Sequence, residues 1–397
     1  MTTIKMTNAE IFHREVMRLG LGARSKVPDV IPPEKPARKA YDHIKNISEE
    51  LIASAKENIP RLPHIHFDFI YNENINAVAF KAEDRYFIGL TTGTIYMLQL
   101  VIMRMLSDSH LFETIGNPSE EANDLAPFIG YAPKAEQMNK AGLKPKHPKT
   151  KPRLDYAGHL NDQALLFLVG HEIAHITLGH VDYMQSSAET PFVAEMGWNA
   201  SDPDGLIERQ CLEAQADMRS VFSRIGSLWL THIANTSGNL KPSWLNSNLS
   251  EAHLIFDWAF AMNLLFRLFG DVRFNASQLA TSSYPPLPLR RAMATEMAYN
   301  AVMSRWNPAL KEKASHALQA AMKYSEHAFA TILGEKISTE GLVDAYSTLG
   351  KEHRKRLMEY SFELQKKLAP FSYEIMFDPG APPTPDGVFI RIARNDL

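Results

Sequence analysis

The chain has 397 residues and a formal net charge of −3, with 45% apolar and 22% charged residues. Such a composition belongs to an ordinary folded protein; it excludes collagen-like, coiled-coil and disordered classes, and it leaves no global field to steer the chain onto nucleic acid or an anionic membrane. The single cysteine, Cys211, excludes an internal disulfide and a four-cysteine zinc site, and fits a reducing cytoplasm.

Residues 1–60 read as an N-terminal extension: a short helical pattern without a signal-peptide core, a Pro/Lys-rich stretch at 27–39, and a second helical pattern from Tyr41 to Ala55. From His64 the period becomes that of strands. HIHFDFIYN, NAVAFKA and RYFIGLTTG, separated by turn residues such as Asn72, Asn74 and Asp84, predict a small antiparallel sheet. Thr94–Leu106 is long and apolar enough for a buried helix.

Residues 117–156, with six prolines and a run of lysines, read as an exposed basic insertion. No aromatic residue interleaves the lysines to stack a base, so no nucleic acid is expected. Three helical patterns follow at 161–179, 206–232 and 252–269. The most apolar stretch, Leu254 to Phe269, contains Asp257, Asn263 and Arg267 and is about four residues too short to cross a bilayer; it is expected to be a buried helix and no membrane span. Residues 61–300 form the main domain on this reading, and 301–397 a C-terminal helical region with one strand signal at 388–393.

The segment ALLFLVGHEIAHITLGH carries the chemistry. His171 and His175 are four apart, so on a helix both imidazoles can reach one ion, and Glu172 falls beside them. There Glu172 can hold a metal-bound water and take its proton, which suits amide hydrolysis. The flanks are apolar, so a plain hydrogen-bonded pair of core histidines is the competing reading.

A tetrahedral zinc needs a third protein ligand and one open position. A metzincin site would place Gly and His where Leu178 and Val181 stand, so that class is excluded. Within ERQCLEAQADMRS, Glu213 and Asp217 share a helical face: Glu213 can be the third ligand, and Asp217 can accept the ring N–H of His171. Glu208 is an alternative ligand off that face. His180 is about 140° around the helix from His175 and reads as a helix-end residue beside Gly179, and Cys211 reads as a small core residue.

HExxH followed by ExxAD resembles the gluzincin metallopeptidases, and in particular their CAAX-processing and HtpX-like branch without its membrane helices. An Asn-Ala strand (Asn76, Ala77, Val78, Ala79, Phe80), a strand ending in Thr-Gly (Ile88 to Gly93) and an Arg six residues after Tyr284 occur in that branch's order. The resemblance implies that Asn76, Ala77 and Val78 lie on the edge strand of the sheet, to which extended peptide adds. It also implies that Tyr284, at a position where the branch has His, and Arg290 lie near the oxyanion. Soluble peptidases of the Lit type share features of this plan, which would imply a role in defence.

The sequence thus predicts an α+β, mainly helical, zincin-like metallopeptidase with an active-site helix pair. It would hold one Zn2+ per chain and hydrolyse a soluble protein or peptide. The rival is a non-catalytic, zinc-stabilised interaction protein. Glu172 separates the two, because a purely structural site has no use for a carboxylate next to its first ligand. A third reading makes the basic insertion a nucleic-acid contact.

Overall fold

A computed structural model describes residues 6–123, 125–128, 146–186, 192–194, 203–236, 244, 250–270, 273–305, 310–337, 340–375 and 391–392. The strand signals become β2 (Ile65–Tyr71), β3 (Ala77–Ala82) and β4 (Arg85–Thr91). β1 (Ala23–Arg24) and β5 (Phe192–Ala194) complete a sheet of order β1-β2-β4-β3-β5. The α+β class and the small sheet stand, but the sheet is mixed, and the expectation of antiparallel pairing throughout is corrected. Residues Glu83 and Asp84, both with positive φ, make the two-residue turn of the β3–β4 hairpin. This hairpin folds β4 back between β2 and β3, so β2 and β4 run parallel.

The strands read as nearly continuous apolar runs because both faces of the sheet are covered. Ala77, Ala79, Ile88 and Leu90 point into the main helical core. Val78, Phe80 and Phe87 alternate with them and meet Ile11, Phe12 and Val16 of α1 (Asn8–Arg18) on the opposite face. Next come α2 (Val27–Val30) and α3 (Pro36–Asn58). The connection from β2 to β3 is pinned to the start of α4 (Thr92–Leu106): the Gly93 N–H donates to Asn72 O at 2.8 Å, and a Cβ on Gly93 would lie 2.3 Å from Glu73 O. Only glycine permits that approach. This contact sets where Asn76 enters β3.

The central element is α5 (Lys151–Thr177), apolar on most sides and therefore buried on most sides. It begins inside the stretch read as an exposed insertion. Arg153 lies in that stretch, yet its side chain is fully buried, and it donates to the carbonyls of Leu106, Asp108, Leu111, Phe112 and Ile115 at 2.7–3.0 Å. A charge can be buried there because one guanidinium satisfies the carbonyls at the end of α4 and in the following loop together. Residues 129–145, the middle of the insertion, lie outside the described residues.

After α5 the chain bends by 51° into α6 (His180–Ser186). The helices α7 (Pro203–Thr236), α8 (Glu251–Phe269), α9 (Ala276–Thr281) and α10 (Leu287–Arg305) follow. The last are α11 (Lys311–Leu333), α12 (Glu340–Tyr346) and α13 (Thr348–Leu368). The strand signal near the end appears as β7 (Arg391–Ile392), paired with β6 (Glu374–Ile375). α5 packs against α7, α8, α4, α3 and β3, so the motif helix lies between the sheet and the helical layer. The expectation that this segment is too short is corrected: α8 extends the apolar stretch back to Glu251 and is long and apolar enough to cross a membrane, but 83% of its apolar window is buried inside the protein. Its polar residues are paired there: Asp257 accepts from Tyr156 Oη, and Arg267 donates to Glu326.

Candidate metal centre

α5 and α7 face one another with i, i+4 pairs on both sides. His171 and His175 project one turn apart from α5; Glu213 and Asp217 do the same from α7. The two imidazole Nε2 atoms are 2.9 Å apart. Glu213 Oε2 lies 3.4 Å from His171 Nε2, and Glu213 Oε1 lies 3.6 Å from His175 Nε2. One ligand atom from each of the three residues falls within 4.8 Å of the others, and all three residues are buried. Two imidazoles and a carboxylate are a donor set that suits zinc and leaves a coordination position open. Glu172 is buried beside the first imidazole.

Residues 38–202 match the model of Peptidase family M48. This is a family of zinc metallopeptidases, and the enzyme class read from the sequence, a metallopeptidase and hence a hydrolase, is borne out by the match. No curated protein and no solved structure matches the chain. The M48 segment runs from α3 to β5 and contains His171, Glu172 and His175; Glu213 and Asp217 lie beyond its end. Their part in the site rests on the geometry.

Electrostatics around the site favour a neutral His175 and an ionised Asp217, and a neutral imidazole is the form a metal needs. Burial, reinforced by the neighbouring His171, His180 and Arg290, holds His175 well below the usual histidine range. Burial likewise pulls His180 down to about 3, against a hydrogen bond with Gln215 that raises it. Burial pushes the Asp217 carboxyl up, but the charge and hydrogen bonds of Arg290, helped by His171, outweigh it and leave the group below its ordinary value. Asp217 Oδ1 stands 3.0 Å from His171 Nδ1, and the carboxylate favours the tautomer with its proton on Nδ1, which leaves the Nε2 lone pair facing Glu213.

Other residues singled out in the sequence fall in definite places. Arg290, on α10, is buried and forks onto Asp217, with Nε to Oδ2 at 2.7 Å and Nη2 to Oδ1 at 2.8 Å; its Nη2 is 3.7 Å from Glu213 Oε2. Its guanidinium also covers the Phe266 ring at 5.2 Å. Tyr284 is half-buried in the turn before α10, with its backbone N–H donating to Ser282 Oγ. Asn76 immediately precedes β3, and its N–H donates to Thr91 Oγ1 and Thr94 Oγ1. Ala77 and Val78 begin β3, which is not the edge strand the resemblance implied: it pairs with β4 on one side, and on the other β5 covers it from Val78 to Phe80. Cys211 is buried, as expected, and burial pushes its thiol up to about 12.

Sequence reasoning missed two things. His180, read as a helix-end residue, is fully buried with Nδ1 2.9 Å from His175 Nδ1. The fork between Arg290 and Asp217 was also unforeseen, although the Tyr284-to-Arg290 spacing had drawn attention to the arginine.

Glu208, the alternative ligand, is engaged elsewhere: Tyr183 Oη, Tyr360 Oη and Lys367 Nζ all donate to it, at 2.8, 2.9 and 2.7 Å. Replacing it with Ala strands these donors, so Glu208→Ala is expected to lower unfolding stability by about 1–3 kcal/mol while zinc content stays at the wild-type level. Denaturant unfolding alongside metal analysis checks this, and loss of zinc in the variant would return Glu208 to the ligand set.

Proposed function

We propose that the chain is a zinc-dependent metalloendopeptidase of the gluzincin type, with His171, His175 and Glu213 holding one zinc per chain. The observation that carries this reading is the convergence of those three donors from α5 and α7, with Glu172 next to the first. When bound, the metal polarises the scissile carbonyl and lowers the pKa of water to about 7. Glu172 accepts the proton of the attacking water at its carboxylate and delivers it to the departing amide nitrogen. Asp217 fixes the tautomer and ring orientation of His171, and Arg290, forked onto Asp217, holds that carboxylate in place. We assign Tyr284 as a donor to the developing oxyanion.

The substrate is a soluble protein or peptide, bound in extended form along the sheet. Asn76, Ala77 and Val78 offer the strand to which it adds, and at Val78 the incoming backbone competes with β5. The lone buried cysteine agrees with work in the cytoplasm.

The test couples metal analysis to cleavage. Purified wild type should carry one zinc per chain, and His171→Ala and Glu213→Ala should carry little. Proteomic detection of new termini in cells expressing wild type, but not in cells expressing Glu172→Gln, would support hydrolysis. Equal zinc in wild type and Glu213→Ala would remove Glu213 from the site.

A further inference from the structure

We propose that His180 and Gln215 are positioning residues that set the tautomer of His175 and so present its Nε2 lone pair to the metal; the proposal rests on the zinc reading of the site. The chain of bonds starts from an atom whose role is fixed. Ser361 O, on α13, is a backbone carbonyl and can only accept, so the Gln215 amide group points its Nε2 toward it, at 3.4 Å. This turns Gln215 Oε1 toward His180 Nε2, at 3.1 Å. An amide oxygen also only accepts, so His180 carries its proton on Nε2 and a lone pair on Nδ1.

His180 Nδ1 lies 2.9 Å from His175 Nδ1 and accepts its proton. His175 is thereby held with Nε2 unprotonated, and that atom faces His171 Nε2 and Glu213. The two metal-site histidines are thus oriented by different devices. His171 is held by an ionised carboxylate, Asp217, and His175 by a neutral imidazole–amide relay.

The backbone makes the relay possible. In an unbroken helix His180 would sit about 140° around from His175, out of reach. Helix α5 instead ends at Thr177, Gly179 takes φ +80°, and the 51° bend into α6 swings His180 onto the ring of His175. Gly179 is required for this: a Cβ there would lie 2.6 Å from the Phe371 backbone, in a conformation that L side chains rarely adopt.

Chelator-competition measurement of zinc affinity on the full chain tests the proposal, with unfolding of the metal-free protein recorded beside it. His180→Ala is expected to bind zinc about 10–100-fold more weakly than wild type. His180→Asn, which can place an acceptor oxygen where Nδ1 stands, should recover most of that loss. His180→Ala binding as tightly as wild type overturns the proposal; so does His180→Asn binding as weakly as His180→Ala, because lost packing would then explain the effect. If His180→Ala does not fold, Gln215→Leu, which removes the acceptor for His180 Nε2, should weaken zinc binding, and wild-type affinity in that variant overturns the relay. His171→Ala separates the two readings: if it binds zinc like wild type, the metal site itself falls and the relay with it, whereas loss in His171→Ala with none in His180→Ala sinks the relay alone.

Discussion

Glu172→Gln is expected to lower peptide hydrolysis by about a hundred- to ten-thousand-fold, the contribution of a positioned general base, with zinc content and unfolding midpoint at wild-type values. Glutamine keeps the size and hydrogen-bonding reach of the side chain but cannot take a proton from water. Glu172 stands outside the donor group formed by His171, His175 and Glu213, so the metal affinity should not change. Zinc content together with initial rates on a peptide cleaved by wild type checks this. A variant that keeps both zinc and activity removes Glu172 from the chemistry, and one that loses both makes it part of the metal-binding framework instead. The outcome also separates a peptidase from a zinc-stapled interaction protein, in which the same substitution would change nothing measurable.

The legible parts of this protein are the ones governed by short-range periodicity. His171 and His175, like Glu213 and Asp217, are spaced by one helical turn, and a turn brings side chains together whatever the rest of the chain does. The strands at 65–91 were legible for the same reason. Pairing was less so. That β4 lies parallel to β2 follows from where the β3–β4 hairpin is laid down, a choice made by the apolar faces of α1 and α5 and not by the strands themselves. Arg153 was hidden in a lysine-rich stretch because its burial depends on carbonyls about forty residues earlier, which no local pattern reports. His180 was misjudged because helical spacing was extended through Gly179, where the chain leaves the helix and turns back; the glycine was the available signal, and its left-handed φ is what the spacing rule could not anticipate.

Arg290→Met should destabilise the metal-free protein by about 3–5 kcal/mol, the cost of breaking a buried ion pair from one side. Asp217 is 1% exposed and Glu213 3% exposed, and Arg290 is the cation forked onto the first and 3.7 Å from the second. Without it, two carboxylates share a buried site. Zinc should offset part of the loss by neutralising Glu213, so the difference between variant and wild type should shrink when zinc is added and widen when a chelator removes it. The acid limb gives a second reading. Asp217 is held below its ordinary 3.8, so its contribution is present above that pH and is lost as pH falls through the depressed value. With Arg290 gone, burial, the largest influence on the carboxyl, is opposed only by His171, so the carboxyl rises and the onset of acid unfolding moves to higher pH. Arg290→Lys should fall between, since an ammonium restores the charge but cannot fork across both oxygens. If Arg290 acted only on the oxyanion, Arg290→Met would leave stability, zinc affinity and the acid limb as they are and lower kcat alone. Unfolding with and without chelator, repeated across the acid range, distinguishes a residue that holds the ligands from one that meets the substrate.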